Sequence, residues 1–417
     1  MAMGPLSGVR VLEFGMAVAG PHACKLLALL GAEVIKVESI THLDMLRRAG
    51  VDAEKGAKIQ ALRPGEPLPP GVMLDTFVSN TTHLNKLGIT LDMTKPAAVE
   101  LAKRLVARSD VVVENYRPRV MEGYGLDYPA LRETNPKLIM LSTSIAGKTG
   151  PEREYLGYME VFGALGGLGH LTGYPDGPPT WIRFSMDTMS AVTAAGAILA
   201  ALIYKQRTGE GQYIDYSSYE GAACLIGDAL LDYTMNGRNQ SRQGNLDDFM
   251  APHNCYRCQG DDKWISIAIG TDEEWNAFCN AIGNPEWTKD ERFSDSYSRW
   301  QNQKQMDAFI QEWTMNSESF EVMEVLQKAG VAAIPSFSSP EIWGDPHLDE
   351  RGLTVIVDHV TLGAQPVSAP PWKLSRTSAE ITSAGPTLGQ HNDYIFGELL
   401  GLSKEEISDL VDKGVIR

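Results

Sequence analysis

Residues 8–38, "GVRVLEFGMAVAGPHACKLLALLGAEVIKVE", decide the fold. "GVRVLEFG" is a short apolar run rich in β-branched residues and reads as a buried strand. "HACKLLALLG" has helical spacing and stops at Gly31, and Glu33–Glu38 resumes as a second strand. A strand, a helix and a strand within about thirty residues make a βαβ unit, which requires a parallel sheet. The alternation continues downstream through helix "PAAVELAKRLVARS" (96–109), strand "DVVVEN" (110–115), helix "DYPALRETN" (127–135) and strand "KLIMLSTS" (137–144). The expected fold class is therefore α/β, with a doubly wound parallel-sheet large domain whose ligands sit beyond the carboxyl ends of the strands.

Outside this unit the chain changes character twice. Residues 45–79 carry the Pro/Gly-rich "RPGEPLPPG" after a basic stretch with Arg47, Arg48, Lys55, Lys58 and Arg63. A long apolar helix is expected over about 188–205, followed by a turn and a strand in "RTGEGQYIDYSSYE". From 226 to 334 the sequence is more polar and holds Trp264, Trp275, Trp287, Trp300 and Trp313. The layout reads as a large domain over 1–225, a smaller α+β domain over 226–334, and a return to the large domain over 335–417. The tail is expected to form two helices joined at Gly401-Leu402-Ser403, with Ser403 and Glu406 spaced as a capping box.

Composition narrows the function. The 417 residues are 43% hydrophobic and 22% charged, with a net charge of −16, which argues against nucleic acid or an anionic membrane as partner. The start lacks the charge and apolar pattern of a secretory signal, and no apolar run reaches the length of a membrane span. Five scattered cysteines (Cys24, Cys224, Cys255, Cys258 and Cys279) suit reduced thiols in a cytoplasm. Cys255 and Cys258 form a CxxC near His253, but no second ligand pair follows at zinc spacing, so no metal is expected. A nicotinamide site would need G-x-G-x-x-G between the first strand and helix. The loop there, "FGMAVAGPH", has Gly15 and Gly20 but no such triplet. The cluster "GALGGLGHLTG" (163–173) follows no clear strand and reads as well as a loop or close-packed turn as a phosphate cradle.

One carboxylate stands out. In "SMDTMSAVTAAGAILAAL" (185–202) the lone charge is Asp187. It reads either as a helix cap or as a nucleophile at a helix mouth.

Residues 4–38, "NKLGITLDM", "DVVVENYRP", "GYGLDYPALRETNPKLIMLSTS", "AGAILAALIYKQRTGEGQ" and "LGQHNDYIFGELLGLSKEEI", taken in that order and spacing, resemble the family III CoA-transferases. The likeness runs from about residue 4 to the C-terminus and implies an enzyme. That family includes formyl-CoA, carnitine and succinyl-CoA-dependent aromatic acid transferases, and acyl-CoA racemases. Its catalytic aspartate lies eleven residues before the "ILAAL" of the helix, the place of Asp187 relative to Ile198. The resemblance implies a coenzyme A (CoA) site along Ala17, Val18 and Ala19, then Leu91, Asp92, Met93 and Thr94, then Asn115, Tyr116 and Arg117. Ser39 and Thr94 replace an arginine and a lysine of formyl-CoA transferase, leaving phosphate charge to Arg117, Arg119, Arg47 or Arg48. Met159 stands where the racemase branch has an aspartate, with Glu160 one residue on; this favours transfer over racemisation, which stays the alternative. CoA thioesters and a free carboxylic acid are then substrates, with no tightly bound cofactor. The assembly implied is an interlocked homodimer, or a heterodimer with a homologous subunit.

Overall fold

A computed structural model describes residues 4–47, 54–55, 58, 74–180 and 185–416. Most of the 45–79 insertion, Arg48 and Arg63 included, lies outside the described residues. The chain divides into two compact units. The smaller takes Gly169–Thr180 and Leu231–Pro346, and the larger takes the rest. The smaller unit thus begins five residues later and ends twelve later than the 226–334 read from composition, and it also includes a short segment from upstream of Asp187.

The larger unit is built on six parallel strands in the order β3-β2-β1-β4-β5-β6. They are β1 Arg10–Glu13, β2 Glu33–Glu38, β3 Lys86–Thr90, β4 Val111–Glu114, β5 Ile139–Ser144 and β6 Tyr213–Ser217. Successive strand residues point to opposite faces, and both faces are apolar, as a sheet covered on both sides requires. Leu12, Ile35, Val112 and Met140 pack with α2 (Pro96–Val106), with Leu131 of α3 (Tyr128–Thr134) and with the C-terminal Phe396 and Ile416. Val11, Val34, Val111, Val113 and Leu141 pack beneath α1 (Ala19–Leu29). That helix ends in a Schellman turn, with Ala32 N bonded to Leu27 O at 3.1 Å and Gly31 N to Ala28 O at 2.9 Å. The turn needs a left-handed residue, and Gly31 supplies it at φ 95°.

The chain continues through α4 (Met159–Leu165), α5 (Met186–Thr208) and α6 (Ser218–Cys224). Gly166 lies at the end of α4, where a Cβ would come within 2.6 Å of that of Ala222. The turn is close-packed, and bulk there is excluded. Helix α5 corrects one expectation: its mean hydropathy of 1.6 over an 18-residue window does meet the length and composition of a membrane span. Ala191, Ala194, Ala195, Ile198 and Ala201 recur at helical spacing and are buried in the cluster under α1. Its small residues let the two helices approach closely, so it serves as a core helix.

In the smaller unit β7 (His253–Arg257), β8 (Trp264–Ala268) and β9 (Ala332–Pro335) form an antiparallel sheet. Its core gathers Trp275 and Phe278 of α7 (Asp272–Ala281), Ile310 of α8 (Gln303–Thr314) and Leu326 of α9 (Ser319–Lys328). Cys255 lies on β7 and Cys258 just past its end. Burial, and then the nearby Cys255, push the Cys258 thiol up to about 11, which leaves it protonated and a poor ligand or nucleophile at neutral pH. This does not suit a metal or redox pair.

The tail returns to the larger unit. Asp393–Leu399 is wound as a π-helix, not the α-helix its spacing suggests, and α10 (Lys404–Asp412) carries the Ser403/Glu406 capping box. Just before it, side chains close the edge of β3. Gly88 N donates to His391 Nδ1 at 3.0 Å and Thr90 N to Asn392 Oδ1 at 2.9 Å. The edge is thereby denied to another strand.

Candidate active site

Four strand ends open into a cleft of about 290 Å³. Gly15 and Met16 after β1, Ser39 after β2, Leu91, Met93 and Thr94 after β3, and Tyr116 after β4 line it, with Lys36, Asp44 and Tyr124. Five of these (Leu91, Met93, Thr94, Tyr116 and Ser39) are positions that sequence similarity singled out. Of the others, Asp92 is buried, and its Oδ1 accepts from Thr94 N at 3.1 Å and Thr94 Oγ1 at 2.6 Å. It shapes the β3 loop and does not line the cleft. Ala17 sits one residue beyond Met16 at φ 58°, Val18 is the N-cap position of α1 and Ala19 its first residue. Asn115 spends both ends of its amide on Met16: Oδ1 accepts from Met16 N and Nδ2 donates to Met16 O, each at 2.7 Å.

Beneath the cleft is a buried set of charges. Lys36 Nζ meets Glu13 at 3.2 Å and Asp44 at 3.5 Å, and Lys86 Nζ meets Glu13 at 2.7 Å. Arg47 corrects its reading as a phosphate ligand. Its Nε and Nη2 donate to Glu38 at 2.7 and 2.8 Å, Nη1 to Asp75 at 2.8 Å, and Nη2 also to Pro386 O at 2.9 Å. Fully buried, with four of its five N–H donors so paired, the guanidinium is not open to a phosphate.

Arg117 is exposed and lines a neighbouring cleft of about 180 Å³ with Arg119, Lys148 and Arg153. Lys148 is bound by Glu114 at 3.1 Å, and Arg119 by Glu154 at 3.1 Å. Arg117 makes no side-chain polar bond among the described residues and follows directly on Tyr116 of the first cleft.

Asp187 is the second residue of α5, not its cap; that position is Ser185. The capping reading fails for this reason. Helix α5 has 23 residues, so it is about 34 Å long. It leads into the amino end of β6, so its start overshoots the carboxyl edge of the sheet, the edge that also carries the cleft. There the half-buried Asp187 carboxylate has no hydrogen bond or ion pair among the described residues. Burial, and then the charge of Glu160 on α4, push it up to about 6. The positive end of the helix dipole acts the other way and loses. A carboxylate of this kind is ionised at neutral pH, poorly solvated and unblocked, as a nucleophile should be.

Lys36, Asp44 and Lys148 escaped the sequence reading. The signal for Lys36 was present: a cation inside the apolar strand "EVIKVE" must have buried partners. Asp44 and Lys148 sit in loops, where charge is unremarkable.

The family described as CoA-transferase family III matches residues 6–392, and the chain belongs to it. It is 36% identical over 413 residues to the succinyl-CoA–D-citramalate CoA-transferase of Chloroflexus aurantiacus, covering 99% of this chain and 98% of that one. It is 32% identical to the succinyl-CoA–L-malate CoA-transferase beta subunit of the same organism, over 99% and 98%. Among solved structures, a CAIB/BAIF family protein from Brucella suis superposes with a TM-score of 0.82 at 31% identity, over 96% of this chain and all of that one. The chain is accordingly a CoA-transferase.

Proposed function

We propose that this enzyme moves CoA from succinyl-CoA to a free dicarboxylic acid through covalent intermediates on Asp187. The half-buried Asp187 carboxylate, with no hydrogen bond or ion pair among the described residues, carries this reading. One of its oxygens attacks the thioester carbonyl, the C–S bond breaks, and an aspartyl–succinyl anhydride and CoA thiolate result. The thiolate attacks the aspartyl carbonyl and expels succinate, leaving aspartyl-CoA. The acceptor carboxylate displaces the thiolate to give a second anhydride, and the thiolate then attacks the acceptor carbonyl. Acceptor-CoA leaves and Asp187 is a carboxylate again. No step needs a net proton transfer.

CoA would lie in the first cleft, with the loops at Ala17–Ala19, Leu91–Thr94 and Asn115–Tyr116 around it and the exposed Arg117 beside its phosphates. Glu160 would hold Asp187 in its raised range. The donor and the dicarboxylate class rest on the named relatives, whose acids are citramalate and malate. An interlocked homodimer fits a large domain interrupted by a smaller one, and the relatives named as subunits support a heterodimer as the other assembly.

The test offers succinyl-CoA with a panel of free acids, read by mass spectrometry for new acyl-CoA. Branched and hydroxylated dicarboxylates should be converted. A chiral 2-methylacyl-CoA given alone in deuterated water should gain no deuterium. Uptake without an acceptor would establish racemisation instead.

A further inference from the structure

We infer that Asp44 is a positioning residue for the acyl-CoA site, acting through the turn Gly15–Met16–Ala17. This rests on the reading that the first cleft takes CoA.

Between the end of β1 at Glu13 and the start of α1 at Ala19, the chain must reverse direction across the cleft. It does so with Ala17 at φ 58°, a conformation that an L-residue keeps only when its surroundings hold it. Four backbone groups of the turn are each held by a side chain from elsewhere. Gly15 O accepts from Lys36 Nζ at 2.8 Å. Met16 N and O are taken by Asn115. Ala17 N donates to both carboxylate oxygens of Asp44, at 3.2 and 3.1 Å. A Cβ on Gly15 would lie 2.9 Å from Pro21 Cδ, so the turn leaves no room for a side chain at this position.

Asp44 is 2% exposed and Lys36 fully buried. A buried carboxylate is stable only when its charge is met. Here Lys36 meets it at 3.5 Å, and Leu46 N adds a bond at 2.9 Å. Lys36 thus links the two ends of the brace: it binds Gly15 O directly and holds the anion that binds Ala17 N. The residues on either side of Met16 are fixed by one ion pair. Asp44 reaches the cleft wall, but both its carboxylate oxygens are engaged by the Ala17 N–H and by Leu46 N or Lys36, so its part in binding runs through this backbone and it has no place in the chemistry at Asp187.

Asp44→Asn keeps the size and one acceptor but loses the charge and the second oxygen. Its predicted effect is a KM for succinyl-CoA raised roughly tenfold, with kcat and the KM for the acceptor acid within about twofold of the parent. Adding Ala17→Gly, which takes φ 58° without restraint, should recover part of the CoA affinity. Calorimetric titration with CoA runs alongside on the unaltered protein. If that protein binds no CoA, the cleft reading fails and the inference with it. If it binds CoA but Asp44→Asn has an unchanged KM, the inference alone is overturned. It is equally overturned if both substrates and kcat decline together, or if Ala17→Gly restores nothing.

Discussion

Two groups of carboxylates lie in the same unit of this protein, both withdrawn from water, and they behave in opposite ways. Glu13 and Glu38 sit beneath the cleft. Burial pushes each up, but Lys86 and Lys36 pull Glu13 down further, and Arg47 with Lys36 does the same for Glu38. Asp187 is less buried, yet burial takes it up to about 6, because the charge it feels next is the like charge of Glu160, which adds to that rise and does not offset it. Burial pushes all three carboxyls up, and the neighbouring charge decides whether that rise is reversed or kept. The paired acids are structural, and Asp187, without a partner among the described residues, is left able to form a bond.

That contrast is broken most severely at Asp187. Asp187→Ala should cut transfer by about 10³-fold or more while CoA binding by titration persists. A variant that keeps turnover would reduce Asp187 to part of a helix end.

Glu13→Gln tests the other half. It strips the carboxylate between Lys36 and Lys86 and leaves two buried cations short of charge. We expect about 3–5 kcal/mol of lost stability in urea unfolding. A loss below about 1 kcal/mol would mean that solvent reaches the network.

The smallest effects concern pH. Asp187 must be ionised to attack, so kcat should fall as pH drops through about 6. Glu160→Gln removes the like charge and should move that limb to lower pH; movement to higher pH would contradict the assignment. Stability has its own sign. Folding raises this carboxyl from 3.8 to about 6, so the native state holds the extra proton between those values. Stability therefore falls as pH rises across that window. Asp187→Asn should then stabilise the protein at pH 7 by about 1–2 kcal/mol, after allowance for solvent screening, with the gain gone by pH 4.

How much of this was legible in the sequence depends on the range over which each feature is determined. The β1–α1–β2 unit was readable because apolar periodicity and Gly31 act locally. Asp187 was readable as a choice between cap and nucleophile. Resemblance pointed to one, and the helix start at Met186 removed the other. Arg47 was misread because a cation in a Pro/Gly-rich loop looks solvated; one of its partners, Pro386, is 339 positions away. Asn115 acts on the backbone of Met16, a bond made 99 positions off that no local pattern announces. The smaller unit also takes in Gly169–Thr180, far from the rest of it in sequence, and nothing in that segment's composition says so.

The central claim is a covalent bond between acyl group and Asp187. Succinyl-CoA and the enzyme, trapped with hydroxylamine or borohydride and digested, should give one modified peptide with the change on Asp187. Modification on Glu160, or none in an enzyme that still transfers CoA, would contradict it.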